Sequence, residues 1–121
     1  MNEENLVIYQ KWIDVTKDSY NLLQRFPKEE KFVLAAQIRE AAIDCGTLIL
    51  DINEDRTNEG KNRKALALDF KIRRMRVLFR MSMELKYISE KNYLTICSKW
   101  EEIGRILGGW KKSFQPKQGW R

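Results

Sequence analysis

Hydrophobic positions along this chain recur at intervals of three and four, the period of a helix rather than the alternation of a half-buried strand. Near the N-terminus Leu6, Tyr9, Ile13, Thr16, Tyr20 and Leu23 form one such stripe, closed by the polar stretch "QRFPKEE". Pro27 suits the first position of a new helix, and Glu29 and Glu30 suit the positive end of its dipole. The second stripe, Leu34, Ile38, Ala41, Cys45, Leu48 and Ile52, has the form of a bundle seam. Ala35, Ala42 and Ile49 flank it and permit close approach of a neighbour. The polar, turn-rich "NEDRTNEG" at 53–60 is the natural loop before a third helix that runs to about Tyr87. Ser89 is a good N-cap for a fourth, in which Tyr93, Ile96, Trp100, Ile103 and Leu107 repeat the seam spacing. "LGGW" is expected to end that helix, with Gly108 or Gly109 in the left-handed cap conformation. Four amphipathic helices with short connections predict an all-α fold, an antiparallel up-down four-helix bundle over 1–114. The acid-free run "KKSFQPKQGWR" follows, with 115–121 expected to be a basic, flexible tail.

The third helix carries apolar residues on two sides. Advancing about 100° per residue places Ala65, Leu68, Ile72, Met75, Phe79 and Met83 toward the bundle. Leu66, Phe70, Val77 and Met81 fall on the opposite side, where a bundle monomer needs no apolar stripe. Either the first helix or the tail covers them, or they form a contact between subunits, and self-association into a closed ring or dimer is the expected outcome.

Charge sharpens the picture of the same helix. Residues 1–60 hold 7 basic and 12 acidic side chains, whereas 61–121 hold 16 basic and 5 acidic, so the net charge of +6 belongs to the second half. Between residues 61 and 80 stand Lys61, Arg63, Lys64, Lys71, Arg73, Arg74, Arg76 and Arg80 against the single acid Asp69. Arg73, Arg76 and Arg80 share one flank of the outer stripe; Lys64 and Lys71, with Arg63 and Arg74 partly beside them, share the other. Most lack an acid one helical turn away, so intrahelical ion pairs do not account for them. A solvated face is the ordinary fate of such charges, but this excess and the five arginines point to phosphate, bound without sequence preference and with strong salt dependence. Lys111, Lys112, Lys117 and Arg121 interleave with Trp110, Phe114 and Trp120, an arrangement able to stack on unpaired bases. Trp110 can equally pack against the bundle end.

Several functions fall away. Histidine is absent, which removes histidine-based acid–base chemistry, nucleophile pairs and zinc sites. Cys45 and Cys97 lie on apolar stripes and read as small buried hydrophobes rather than a disulfide or metal pair. Asp51 with Asp55, and Glu101 with Glu102, match no metal motif and stand beside no nucleophile. The chain is therefore expected to be non-enzymatic, with no cofactor and no metal. No apolar run reaches the roughly 20 residues of a membrane span, and "MNEENLVIYQ" does not read as a signal peptide, which predicts a cytoplasmic protein. A basic amphipathic helix can lie on an anionic membrane, but such helices present one apolar and one polar face, unlike the third helix.

Over most of residues 20–112 the sequence resembles the accessory variability determinants (Avd) of diversity-generating retroelements. The likeness is carried by "FPKEEKFVLAAQIRE" and by "RRMRVLFRMSMELKYISEKNYLTICSKWEEIGRILGGWKK", within which "MELKYISEKNY" followed by "EIGRILGGW" is the more specific part. "FPKEE" also occurs in S23-type proteins encoded within intervening sequences of bacterial ribosomal RNA genes. Those lean on an "NIAEG"-like turn that "LILDINEDRTNEG" only loosely echoes. The Avd resemblance implies a basic, barrel-shaped homopentamer that associates with a reverse transcriptase and its template RNA. It maps nucleic-acid contacts onto the eight basic residues from Lys61 to Arg80. The acidic first half departs from an all-round basic bundle. The S23 alternative implies an oligomeric RNA-binding or scaffold protein.

Overall fold

The computed structural model describes residues 3–115, with side chains from Val7 onward. Four helices follow one another: α1 (Glu3–Leu23), α2 (Leu34–Glu54), α3 (Asn58–Glu84) and α4 (Glu90–Lys111), with one 3-10 turn at Lys28–Glu30 and no strand among the described residues. Each helix packs on its chain neighbours and α1 closes the square against α4, so the periodicity read from the sequence yields the four-helix bundle. None of these helices is long and apolar enough to cross a membrane.

Three of the four stripes face inward as their spacing indicates. Ile38, Cys45 and Ile52 of α2, Leu68, Met75 and Phe79 of α3, and Trp100, Ile103 and Leu107 of α4 make the core, joined by Ile49 from the expected flank of α2, whereas Leu48 of the seam is only partly buried. Cys45 and Cys97 are both buried thiols without a disulfide. Helix α1 is turned away from the expected face. Its buried residues are Ile8, Val15, Thr16, Ser19 and Leu23, while Tyr20 is exposed. Two indoles explain the rotation. Trp100 Nε1–H donates to Ser19 Oγ at 3.0 Å, and that hydroxyl donates to the Val15 carbonyl at 2.8 Å, so a serine belongs inside. Trp12 donates to the Ala42 carbonyl at 2.7 Å and packs against Gly46, where a Cβ would collide with the indole ring.

The helix ends also depart from the expected boundaries. The α2–α3 connection is confined to residues 55–57. Thr57 Oγ1 caps α3 by accepting from the Gly60 amide at 3.0 Å, and Asp55 accepts from the Thr57 amide and hydroxyl, both at 2.9 Å. Helix α3 stops at Glu84, not Tyr87, because Lys86 takes a left-handed conformation at φ 66°. The Lys86 amide then reaches the Met83 carbonyl and the Tyr87 amide the Ser82 carbonyl, each at 2.9 Å, which is the Schellman pattern with lysine in the usual glycine place. Tyr87 Oη donates to Glu30 at 2.7 Å and ties this turn to the α1–α2 connection. Ser89 caps α4 as read, accepting from the Asn92 amide at 3.0 Å. At its other end α4 continues through Gly108 and Gly109, neither of them left-handed, because Trp110 belongs to the core. Phe114, the last residue assigned to the bundle, is buried edge-on against Trp110 at 5.9 Å, and its carbonyl accepts from Asn62 at 3.0 Å. Lys117, Trp120 and Arg121 lie outside the described residues.

Candidate nucleic-acid interface

Helix α3 is long because nothing in Asn58–Glu84 breaks it, and at about 1.5 Å per residue it spans roughly 40 Å. Its inner face is fixed by the core, so its outer face is fixed too. Leu66, Phe70, Val77 and Met81 each remain at least half exposed there. The Arg73 guanidinium lies 4.6 Å from the centre of the Phe70 ring and covers part of it.

The basic residues divide between the two flanks as the helical angle requires, and each flank meets a different helix. On the α2 side Lys64 pairs with Asp55 at 2.8 Å and Lys71 with Asp44 at 3.0 Å. Arg74 donates to Gln37 at 2.9 Å, and Lys61 donates to the Ile52 carbonyl at 2.7 Å, at the negative end of α2. On the α4 side Arg76 pairs with Glu101 at 2.7 Å and Lys111 with Asp69 at 2.8 Å. Arg80 pairs with Glu84 at 2.9 Å and lies 5.9 Å from the Tyr93 ring centre. Spacing within α3 correctly excluded most intrahelical pairs but is blind to partners on other helices. The more exposed of these pairs, Lys71–Asp44, Arg76–Glu101 and Arg80–Glu84, contribute about 0–1 kcal/mol each, little enough for a phosphate to exchange with the carboxylate. Asp55 is the most strongly held acid: Lys64, then the Thr57 amide and hydroxyl, keep its carboxyl well below the usual carboxylate range.

Arg63, Arg73, Arg105 and Lys112 form no ion pair with any described residue. Arg73 and Arg105 meet Arg76 around a groove of about 550 Å³ between α3 and α4, lined also by Leu66, Asp69, Ile72, Glu101 and Gly104. Gly104, like Gly108 and Gly109, has nothing within 4 Å of where a Cβ would stand, so helix backbone is left bare beside the arginines. Sequence reasoning missed Arg105 and Gly104. The pattern "GRILGG" was the available signal, since helix glycines cost about 1 kcal/mol each against alanine unless something uses the space. Lys111 and Lys112 stand at the end of α4; Trp110 and Phe114, being buried, are withdrawn from base stacking.

The two thiols are ill suited to covalent chemistry. Burial pushes the Cys45 thiol up to about 12 and the Cys97 thiol up to about 11, which keeps both protonated and poorly nucleophilic near neutral pH. Among the described residues no three histidine, cysteine or acidic side chains gather as a metal site.

Comparison with known proteins places these features in a family context. The family model described as bAvd-like matches residues 6–114. Among solved structures the chain is similar to a protein of unknown function from the S23 ribosomal protein family of Bacteroides thetaiotaomicron. Identity is 19%, the match covers 90% of this chain and 98% of that one, and the TM-score is 0.81, a likeness of fold. No curated protein matches the sequence.

Proposed function

The chain belongs to the bAvd-like family, and from that membership we propose a non-catalytic accessory protein that binds RNA or DNA, self-associates, and assists the reverse transcriptase of a diversity-generating retroelement. The observation that carries the binding role is the convergence of Arg73, Arg76 and Arg105 on one open groove beside bare helix backbone. Arg63, Arg74, Lys111 and Lys112 extend the positive surface to either side; Lys71 and Arg80 add cations whose exposed carboxylate partners can exchange, with Lys61 and Lys64 held beside them by the end of α2 and by Asp55. The exposed stripe of α3 supports self-association, and the resemblance to Avd implies five subunits. The reverse transcriptase enters from that resemblance alone. A reverse-transcriptase gene with a template repeat beside this one supports the partner; their absence favours the S23-type reading.

The binding role is tested with nuclease-treated protein and a fluorescent single-stranded RNA, titrated across a salt series. Wild type is expected to bind with log K falling linearly in log salt. Arg73→Ala with Arg105→Ala should weaken binding and reduce the slope by about 1.4, from about 0.7 per phosphate contact on a single strand. An unchanged affinity in the double variant refutes the groove. No binding by wild type even at low salt leaves the S23-type scaffold reading in its place.

A further inference from the structure

The acidic first half of the chain holds 7 basic residues, and four of them gather in one place. Lys17, Lys28, Lys31 and Arg39 line a groove on the outside of the α1–α2 pair. The groove is made of two hollows, of about 330 and 320 Å³, that meet at Tyr20. The first lies between Lys17 and the exposed Ile43; the second has buried Leu23, Phe26 and Ala35 as its floor and reaches the α1–α2 connection at Pro27. Among the described residues no acid lines either hollow. Glu30, next to Lys31 in the chain, is engaged elsewhere: it accepts from the Leu34 amide at 3.3 Å and from the Tyr87 hydroxyl at 2.7 Å. Lys17, Lys28 and Lys31 form no ion pair with any described residue. Arg39 donates to the Lys31 carbonyl at 2.7 Å, which holds its guanidinium against the connection and leaves its remaining N–H groups for a ligand. The turn that carries Lys31 also exposes Phe32 at 81% and Val33 at 54%.

Cations without internal counterions around an apolar floor match an occupant that carries acids beside an apolar stripe of its own. The dimensions suit a helix. Residues 16–24 of α1 and 35–43 of α2 each rise about 12 Å, the length of two to three helical turns. The ring of Phe26 is taken up by Tyr87 at 5.2 Å between centres, so the floor offers mainly aliphatic contact rather than a stacking platform. That favours a peptide over unpaired bases. We propose that this groove docks an acidic amphipathic helix of a partner protein. Its apolar anchors lie over Tyr20, Ala35 and Ile43, its carboxylates meet Lys17, Lys28, Lys31 and Arg39, and Phe32 extends the contact at the corner. The groove belongs to helices that take no part in the α3–α4 groove, so a partner held there leaves Arg73, Arg76 and Arg105 free.

The test uses the full-length, nuclease-treated protein and a fluorescein-labelled synthetic helix of about 14 residues, with leucine at i, i+3, i+4 and i+7 and glutamate elsewhere. Fluorescence anisotropy reads binding, and circular dichroism confirms that each variant is folded. Wild type should bind this peptide and should not bind its counterpart with lysine in place of glutamate. Lys28→Glu with Lys31→Glu, both exposed, should weaken binding by roughly tenfold or more, and Ile43→Asp should weaken it through the floor. Arg73→Ala with Arg105→Ala should leave it unchanged. No binding of the acidic peptide by wild type, or equal binding of the lysine peptide, overturns the proposal. So does a loss confined to the Arg73 and Arg105 variant, which would place the peptide in the α3–α4 groove. If Lys28→Glu with Lys31→Glu abolishes binding of single-stranded RNA while sparing the peptide, the occupant is nucleic acid and the proposal also falls. The α3–α4 groove is judged separately, by the RNA titration of the Arg73 and Arg105 variant.

Discussion

Ser19 is the residue whose role in the bundle is most open to measurement. It is wholly buried on α1, accepts the indole N–H of Trp100 at 3.0 Å and donates its own O–H to the Val15 carbonyl. Replacing it by alanine removes the acceptor but leaves the N–H in place, in a core where Trp100 is only 1% exposed. An unmet buried donor costs about 1–3 kcal/mol, and alanine returns roughly 0.5 kcal/mol of helix propensity. The expected loss is therefore about 1–2 kcal/mol. In urea, with a slope of roughly 1.5 kcal/mol/M for a domain of this size, the midpoint should fall by about 1 M at unchanged slope. Ser19→Ala in a Trp100→Phe background should cost less, by about 1 kcal/mol, because the stranded donor is gone. A midpoint that holds or rises in the single variant, or a strictly additive pair, would refute the account of why α1 is turned.

Two further outcomes follow from the helix ends. Lys86→Gly relieves a left-handed backbone that costs a side-chain-bearing residue about 1–2 kcal/mol; after the added chain entropy of glycine, about 0.5–1 kcal/mol of stability should remain, seen as a rise of a few degrees in Tm. Asp55 has its pKa lowered on folding, so its contribution is whole above the ordinary value of about 3.9 and is lost as pH falls from there toward the folded value. Tm of the wild type should accordingly exceed that of Asp55→Asn at pH 6 and converge on it below pH 4; a gap that stays constant with pH would show that charge on Asp55 is irrelevant.

The bundle was legible because α2, α3 and α4 each carry one apolar seam whose period needs no tertiary information. Helix α1 was misread where polarity and burial part company: Ser19 is inside only because a tryptophan 81 positions away needs an acceptor. The outer stripe of α3 was legible for the same reason as the seams, since angle around a helix is a local property. The candidate groove was half legible. Arg73 and Arg76 stood out by density of charge, but Arg105 sits alone in the sequence and joins them only because α4 returns alongside α3. The ends of α3 and α4 were hidden by identity. Lysine holds the left-handed position where glycine is looked for, and the glycines of α4 continue a helix that they would ordinarily stop.

The ion pairs strung between α3 and its neighbours bear on how any binding to nucleic acid would be measured. Lys64, Lys71, Arg76 and Lys111 already hold carboxylates as internal counterions. When a phosphate displaces such a carboxylate, the freed acid must recruit a small cation from solution while the phosphate gives one up, so the net ion release for that contact approaches zero. A salt titration would then count mainly Arg73, Arg105 and their unpaired fellows. The number of phosphates touched would exceed the number inferred from the slope, and the shortfall would shrink in variants where Glu101 or Asp69 is neutralised.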